Sequence, residues 1–344
     1  MKRYGNLYEK VIDRENVRAA VLAAARRKRA RRPVKRCLDD LDGTVESVRR
    51  LLEGGFSASQ PTVRAFRDQR RGKDRVRAEP RFYPDQIVHH AVMQVLMPCI
   101  ARGMSDACMA CVPGRGAHRA VHRVERWLRE DRKHTRYCLQ VDIRRFYESI
   151  PRDRLMARLA RLVKDERVIA LVGEIVGSCP GTGLPLGYYM SAWLANLYLQ
   201  DIDHAMTERW GAAHYVRYAD DMLVFGPNKR RLHRLKRDLD AALADLGLEV
   251  KGNWQVYKVD SRPIDFVGYK IRRGYTQVRS RTFIRETRSL RKIGAKRVKT
   301  VDDAQRAIAI AGVMSHASCD RIRRERIDRY VSIDKMKEIV RNGI

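Results

Sequence analysis

Apolar residues recur at intervals of three and four positions over several long segments of the chain. In residues 84–101 they would form one helical face, made of Ile87, Val88, Ala91, Val92, Val95 and Leu96. Residues 152–163, 191–210 and 229–247 repeat this spacing, which predicts amphipathic helices. Residues 7–55 are also predicted to be helical, so helices make up much of the chain.

Other segments alternate between apolar and polar residues, as half-buried strands do. Residues 137–143 predict a strand, and residues 214–226 predict a hairpin. Residues 263–278 predict a second hairpin with its turn near Arg273 and Gly274. No fixed-period repeat and no low-complexity linker divides the chain. This mixture of helices and antiparallel hairpins indicates an α+β fold.

The charge balance indicates the kind of partner. The chain has 72 Lys and Arg residues against 41 Asp and Glu, a formal net charge of +31, and residues 24–36 hold eight basic side chains. A hydrophobic content of 44% excludes a disordered basic tail. Such an excess predicts a polyanionic partner, nucleic acid before a membrane surface. No apolar run has the length of a spanning helix, and the N-terminus lacks an apolar signal region, so we expect a cytoplasmic protein without a membrane partner.

The seven cysteines are scattered and odd in number, which favours reduced thiols. Cys108 and Cys111 form a CxxC pair, but a zinc site needs two further ligands and the sequence has no second pair. We therefore interpret these cysteines as small packing residues.

Three acidic residues stand out against the basic composition. Asp142 ends a predicted strand, and Asp220 and Asp221 lie at the predicted hairpin turn between the apolar neighbours VRY and MLVF. An isolated pair of acids is usually a solvated turn, but these neighbours predict burial. Buried like charges raise one another's pKa unless a divalent cation neutralises them. Two Mg²⁺ ions about 3.5–4 Å apart can activate a 3′-hydroxyl and stabilise leaving pyrophosphate, so the acids predict a nucleic-acid polymerase.

Four ordered motifs extend this interpretation. YADD at residues 218–221 accompanies QVDIRRFYESI at 140–150, GLPLGYYMSAWLANLYL at 183–199 and DFVGY at 265–269. Together they resemble the reverse transcriptases of bacterial retroelements, nearest to the branch of diversity-generating and unclassified, defence-associated enzymes. The resemblance covers residues 60–280.

This resemblance implies an α+β, right-hand polymerase fold in which an antiparallel palm sheet carries the catalytic acids. An N-terminal extension and fingers would occupy residues 1–135. The palm would occupy 136–272, with a finger insertion at 152–190, and a short helical thumb would occupy 273–344.

The resemblance also implies roles at the centre of the site. Asp142, Asp220 and Asp221 would be the catalytic acids and would bind two Mg²⁺ ions, or Mn²⁺, with the Ile143 carbonyl as a further ligand. Tyr147 would be the aromatic steric gate that excludes a 2′-hydroxyl and selects dNTPs. Core packing is the alternative interpretation of Tyr147.

Basic residues before the first motif would hold the triphosphate of the incoming nucleotide. Lys73 and Arg75 match the basic finger positions of the family, although Arg70, Arg71 or Arg77 could substitute for them.

The nucleotide pocket is where this chain departs from commoner patterns. Leu186 and Gly187 belong to the loop that would line the pocket, and Leu186 stands where many relatives have Gln. Ala192 replaces the Gln of the diversity-generating pattern, which weakens a diversification role. A Lys often follows the catalytic hairpin as a general acid; Trp254 stands at the expected place, and Lys251 is the alternative.

Two further groups are candidates for nucleic-acid binding. Arg115 and His118 lie where a Gly-rich turn enters a predicted helix. Arg281, Arg285 and Arg288 share one face of a C-terminal helix and could track a duplex backbone without reading bases. A solvated helix face is the alternative for the second group.

The leading hypothesis is an RNA-directed DNA polymerase, a nucleotidyltransferase that copies an associated noncoding RNA into DNA in antiviral defence. A mutagenic reverse transcriptase of a diversity-generating retroelement is the alternative. A non-catalytic RNA-binding or splicing-type protein on a polymerase scaffold is the alternative of another class. Protein-primed and untemplated synthesis also stay open. Because no nuclease, integrase or protease motif is present, we expect an accessory protein or a second copy of the chain as a further partner.

Overall fold

The computed structural model describes residues 3–68, 73–318, 324 and 328–343. Its N-terminal part is helical, as the sequence predicts. The helices before the first strand are α1 (Tyr8–Ile12), α2 (Arg14–Ala25), α3 (Arg32–Asp39) and α4 (Leu41–Glu53). Helices α1, α2 and α4 share a core with α5 (Ile87–Arg102), which follows a π-turn at Phe82–Gln86. The helix predicted over 84–101 is therefore confirmed from Ile87 onward.

A hairpin that the apolar pattern did not predict lies between α4 and α5. Strands β1 (Thr62–Asp68) and β2 (Lys73–Glu79) pair antiparallel. The Ala78 backbone N–H donates to the Leu186 carbonyl at 2.7 Å, which joins the hairpin to the GLPLG loop. Outside the described residues lie Arg70 and Arg71 and the side chains of Lys73 and Arg75.

The central sheet has four antiparallel strands in the order β4–β5–β3–β6. These are β3 (Tyr137–Asp142), β4 (His214–Tyr218), β5 (Asp221–Gly226) and β6 (Gln255–Lys258). The strands predicted at 137–143 and 214–226 are thus confirmed.

Helices cover both faces of this sheet. Successive side chains on a strand point to opposite faces. Leu139 accordingly shares a core with α12 (Lys229–Asp245), whereas Cys138 shares one with α6 (Ala117–Glu130). Burial on both faces makes the sheet a well-packed support, and Asp142 lies at the end of its inner strand.

The segment between β3 and β4 is helical, but one predicted helix is broken. It contains α7 (Phe146–Ser149), α8 (Arg152–Leu162), α9 (Glu166–Gly177), α10 (Ser191–Tyr198) and α11 (Gln200–His204). The prediction of a single helix over 191–210 is wrong, because the helix is interrupted at Leu199, where ψ is 1° and not helical. A π-turn follows at Ala205–Arg209. After this break, Asp203 on α11 contacts the β4 residues Tyr215 and Arg217.

The C-terminal part has its own sheet and core. Strands β7 (Ile264–Phe266), β8 (Tyr269–Arg272) and β9 (Tyr275–Val278) pair in order, which confirms the turn predicted at Arg273–Gly274. Helices α13 (Ser280–Gly294), α14 (Val301–Ser315) and α15 (Ile333–Asn342) enclose a separate apolar cluster. Within the described ranges, none of the helices combines the length and apolarity that a membrane crossing needs.

Candidate active site

The three predicted acids meet at one end of the central sheet. Asp142 on β3 stands directly opposite Asp221 on β5 in the antiparallel register. Asp220 precedes Asp221 in the two-residue turn that joins β4 to β5. All three are half-buried. Directly opposed residues have Cβ atoms about 4.5–5.5 Å apart, so the register places two carboxylates next to each other and the third beside them.

The turn that carries Asp220 has a restricted backbone. Ala219 has a φ of +55°, in the left-handed region that residues with a Cβ rarely adopt. The Asp220 carbonyl accepts from the Ile143 N–H at 3.2 Å, and the Ala219 carbonyl accepts from Arg217 Nη1 at 3.1 Å. Both ends of this peptide segment are therefore held by hydrogen bonds.

A lysine occupies the side of the site opposite the turn. Lys251 Nζ donates to Asp142 Oδ2 at 3.2 Å, and the Lys251 N–H donates to the Asp142 carbonyl at 2.8 Å. Trp254 instead packs beside α12, with Lys236 Nζ 4.5 Å from its ring centroid. Of the two residues considered for this position in the sequence, Lys251 is the one in contact with a carboxylate of the site.

The donor chemistry of this group fits a hard divalent cation. Carboxylate oxygens of Asp142, Asp220 and Asp221 and the nearby Ile143 carbonyl are the ligand type that Mg²⁺ prefers. The Asp142 carboxylate already forms an ion pair with the positively charged Lys251 ammonium group. Across the residues with described positions, no three acidic, His or Cys side chains yet converge closely enough to hold a metal.

An open cleft adjoins the acids. It has a volume of about 440 Å³. Its lining includes the acids Asp142, Asp221 and Asp265 together with Arg262 and Lys270. The two basic residues bring positive charge into the same cleft as the acids, where it could contact a phosphate group.

Tyr147 lies on the other side of the carboxylates, on α7. Burial raises the pKa of its hydroxyl, and the nearby Cys111 and Asp220 charges act in the same direction. Its carbonyl accepts from the Leu184 N–H at 2.7 Å. Tyr147 is therefore both a neighbour of the carboxylates and an anchor for the GLPLG loop.

The GLPLG loop fits tightly between α7 and β2. A Cβ on Gly183 would lie 2.2 Å from the Glu148 carbonyl oxygen. Gly187 has a φ of +111°, and a Cβ there would lie 2.3 Å from the Ala78 carbonyl oxygen. Leu186 lines a second cleft of about 440 Å³ with the exposed residues Val63 and Val76. The two glycines allow this close approach.

Arg115 and His118 make other contacts than with the three acids. Arg115 Nη1 donates to the carbonyls of Ser105 and Cys108 at 2.6 and 2.7 Å, so its guanidinium holds the Gly-rich turn. His118 stacks on His316 with ring centroids 3.7 Å apart. Nucleic-acid contact by these two residues stays a prediction.

The C-terminal arginines do come together. Arg281, Arg285 and Arg288 line one cleft of about 650 Å³ along α13, and Lys292, Lys296 and Arg306 line it as well. Arg285 is partly neutralised by Glu286, with Nε and Oε1 3.0 Å apart. The cleft remains strongly basic, as a phosphate backbone would require.

Arg217 is a further member of this region, and no motif in the sequence predicts its place there. Its side chain is fully buried beneath the turn, where it contacts Asp203, Asn196 and the Ala219 carbonyl. The available signal was a charged residue inside a segment predicted to be buried, directly before YADD.

Similarities to known proteins agree with this geometry. A family model described as reverse transcriptase (RNA-dependent DNA polymerase) matches residues 75–271, which include all three acids. An uncharacterized 91 kDa protein in cob intron of Schizosaccharomyces pombe is 29% identical over 128 residues, which cover 35% of this chain and 15% of that protein.

Solved structures show the same fold. Apo telomerase from Candida tropicalis gives a TM-score of 0.55 at 12% identity and covers 74% of this chain and 53% of that chain. Telomerase from Candida albicans in complex with a TWJ fragment of telomeric RNA gives 0.52 at 12% identity, with 83% and 59% covered. The chain thus spans little more than half of these structures and a small part of the curated relative. The right-hand polymerase fold expected from the sequence is confirmed. Since the family model matches more than half of the chain, the protein belongs to the reverse transcriptase (RNA-dependent DNA polymerase) family.

Proposed function

We propose that this protein is an RNA-directed DNA polymerase that copies an associated noncoding RNA into DNA from dNTPs. The observation that carries the proposal is the placement of Asp142 opposite Asp221 across adjacent strands, with Asp220 in the adjoining turn. Membership of the reverse transcriptase family supports it. The net charge of +31 suits a nucleic-acid substrate.

Two Mg²⁺ ions, or Mn²⁺, are the proposed cofactors, with Asp142, Asp220, Asp221 and the Ile143 carbonyl as ligands. When bound, such ions activate a primer 3′-hydroxyl and stabilise the charge of the leaving pyrophosphate. Tyr147 and the GLPLG loop would shape the sugar side of the nucleotide pocket. The hydrogen bond from the Leu184 N–H to the Tyr147 carbonyl supports this, because it fixes the Tyr147 backbone relative to the loop.

The basic surfaces would hold the nucleic acid around this centre. We propose residues 1–135 as extension and fingers, 136–272 as palm with a finger insertion at 152–190, and 273–344 as thumb. Lys73 and Arg75 would hold the triphosphate from the β1–β2 hairpin. The C-terminal basic cleft along α13 would follow the duplex backbone.

Primer extension tests the activity directly. The purified protein is given a primed RNA template, a primed DNA template of the same sequence, dNTPs and Mg²⁺. We expect extension on RNA, loss of extension on removal of Mg²⁺ by a chelator, and loss in Asp142→Asn. Asp201→Asn is the matched control, because it removes an exposed carboxylate that pairs with Arg158 away from the turn.

The outcomes separate the proposal from its alternatives. Extension that is equal in wild type and Asp142→Asn would refute the site. Absence of extension with retained RNA binding would favour the non-catalytic scaffold. DNA made without a template would favour untemplated synthesis.

Antiviral defence is the proposed biological role. The support is the pocket sequence, in which Ala192 departs from the diversity-generating pattern and Leu186 replaces the common Gln. Sequencing the RNA that co-purifies with the protein, together with its DNA product, tests this role. A noncoding RNA encoded beside the gene is expected, and a product with mutated copies of a template repeat would favour the diversity-generating alternative.

A second candidate role follows from the match to a protein in the cob intron. The protein would then act on the RNA of an intron-type retroelement that encodes it. In the same sequencing experiment, an enriched excised intron would favour this role over the first.

A further inference from the structure

A complete ionic network is buried directly beneath the catalytic turn. Arg217 lies near the end of β4 with none of its side-chain surface exposed, and the Asp203 side chain is 2% exposed. Burying a charge is expensive unless it is paired and hydrogen-bonded. The position therefore needs an explanation beyond the packing of an ordinary strand.

The two charges are paired in the planar, two-bond geometry that favours Arg over Lys. Arg217 Nε donates to Asp203 Oδ1 at 2.7 Å, and Nη2 donates to Oδ2 at 2.6 Å. Tyr215 donates its hydroxyl to Asp203 Oδ1 at 2.7 Å. These bonds fix the guanidinium in one plane and leave Nη1 directed elsewhere.

The remaining nitrogen connects the pair to the turn. Arg217 Nη1 donates to the Ala219 carbonyl and to Asn196 Oδ1, each at 3.1 Å. The Ala219 carbonyl belongs to the peptide bond that leads into Asp220. Its direction sets the orientation of the Asp220 backbone, and Ala219 already has an unfavourable φ of +55°.

The network is also fixed to its surroundings. The Arg217 N–H donates to the Ala107 carbonyl at 2.9 Å, and the Arg217 carbonyl accepts from the Met109 N–H at 2.8 Å. Asn196 Nδ2 donates to the Ala110 carbonyl at 2.8 Å. Helices α10 and α11 thus hold the guanidinium through Asn196 and Asp203, whereas residues 107–110 hold the Arg217 backbone and the Asn196 amide.

We propose that Arg217, oriented by Asp203, is a positioning residue that sets the direction of Asp220 through the Ala219 carbonyl. It does not reach the reacting atoms itself. It stabilises the left-handed turn that brings Asp220 beside the opposed pair of Asp142 and Asp221. This inference rests on the proposed DNA polymerase function.

Removal of Arg217 alone would leave Asp203 buried without its partner and destabilise the fold. The main test variant is therefore Arg217→Met/Asp203→Leu/Tyr215→Phe, which replaces the whole ionic cluster by apolar side chains. Replacing a complete buried pair in this way is often neutral for stability. We expect a urea midpoint near that of wild type.

Activity is expected to respond differently from stability. With the turn no longer anchored, kcat for primer extension should fall about 10–100-fold, as small displacements of catalytic groups do. The half-saturating Mg²⁺ concentration should rise about tenfold, whereas the KM for dNTP at saturating Mg²⁺ should change less than about twofold, since the nucleotide pocket is untouched. A purely structural role would not separate these parameters.

Two single variants complete the test. Arg217→Lys keeps a charge beside Asp203, but a point charge cannot also reach the Ala219 carbonyl, so kcat and Mg²⁺ affinity should again fall. Tyr8→Phe is the matched control, because it removes a buried tyrosyl hydroxyl that donates to the Leu52 carbonyl at 2.6 Å, outside the ionic cluster. Its kcat and Mg²⁺ dependence should match wild type.

The outcomes are distinct from those of the proposed function. A wild-type protein that extends no primer overturns the function itself. An active wild type overturns the positioning role if the folded triple variant, or a folded Arg217→Lys, keeps wild-type kcat and Mg²⁺ dependence. Unfolding of both variants would make the network a determinant of stability and would also overturn its assignment as a positioning device.

Discussion

Gly183 provides a sharp test of the close contact between the GLPLG loop and α7. The change is Gly183→Ala, which adds a single methyl group to a buried position. That methyl carbon would lie 2.2 Å from the Glu148 carbonyl oxygen and 2.5 Å from the Tyr147 carbonyl oxygen. Both obstacles are backbone atoms, so no rotation of a side chain relieves the clash.

The magnitude follows from what must move. An ordinary contact needs at least 3.4 Å, so the loop and α7 must separate by more than 1 Å. This separation breaks the 2.7 Å hydrogen bond from the Leu184 N–H to the Tyr147 carbonyl and distorts the 2.9 Å bond from Arg152 Nε to the Gly183 carbonyl. Each bond contributes about 1 kcal/mol, and overpacking costs about 1–3 kcal/mol. We expect the free energy of unfolding to fall by about 2–4 kcal/mol.

Urea unfolding and steady-state primer extension measure the two consequences. Because the displaced loop lies beside Tyr147, the KM for dNTP should rise at least about tenfold, which corresponds to about 1.4 kcal/mol. Gly177→Ala is the matched control: it makes the same chemical change at the end of α9, where a Cβ meets nothing within 4 Å. Ala favours a helix, so the control should be neutral or slightly stabilised.

Gly183→Ala would contradict the proposed clash if both its free energy of unfolding and its KM for dNTP matched the values of the control. Such a result would mean that the loop does not approach α7 as closely as the structure shows. A loss of stability with an unchanged KM for dNTP would support the clash but refute the link between the GLPLG loop and the nucleotide pocket.

Three further substitutions test charged residues in the site and in the C-terminal part. Lys251→Met should lower the half-saturating Mg²⁺ concentration in primer extension about two- to fivefold, because a partly exposed pair such as that with Asp142 contributes only ~0.2–1 kcal/mol; an unchanged value would contradict this competition. Arg288→Ala should reduce the slope of the logarithm of the duplex binding constant against the logarithm of the salt concentration by about one, because one phosphate contact is lost. An unaltered slope would mean that Arg288 does not contact the nucleic acid. The hydrogen bond from Lys296 lowers the pKa of Asp303 to about 2. The ionised Asp303 therefore stabilises the fold above its ordinary pKa of 3.8, and this contribution is lost as the pH falls through about 2. Asp303→Asn should lower Tm at neutral pH, and the difference in Tm from wild type should disappear near pH 2.

The regular elements that the sequence predicted are those with strong burial patterns. Helix α12 buries Leu232, Leu235 and Leu239 at helical spacing, and β3 and β5 are flanked by helices on both faces. The β1–β2 hairpin was missed because its apolar residues Val63 and Val76 are exposed and no alternating pattern marks it.

The break at Leu199 illustrates a limit of local patterns. Residues 191–210 stay apolar at helical spacing across the break, so the sequence alone predicts one helix. The structure ends α10 there, and the next turn carries Asp203 against Arg217. That contact joins Asp203 of this segment to Arg217 on β4, which lies outside the helical pattern and could not be predicted from it.

The sequence also predicted only some of the residues of the candidate site. The carboxylates could be found because YADD and the strand before it form recognisable motifs. Lys251 was named only as an alternative, since its direction depends on a turn that brings its N–H to the Asp142 carbonyl. Arg217 was included in a flank predicted to be buried, but nothing in the sequence pairs it with Asp203.

Two cations therefore lie close to the same set of acids and differ in burial. The Arg217 guanidinium is fully buried and pairs with Asp203, an acid outside the proposed metal site. Lys251 is 34% exposed and pairs with Asp142, a proposed metal ligand. Water and salt weaken an exposed pair far more than a buried one. We therefore expect a divalent ion to displace Lys251 readily, whereas Arg217 continues to hold the turn. The difference in exposure thus distinguishes Arg217, which orients the turn, from Lys251, which occupies the place of the metal until a metal binds.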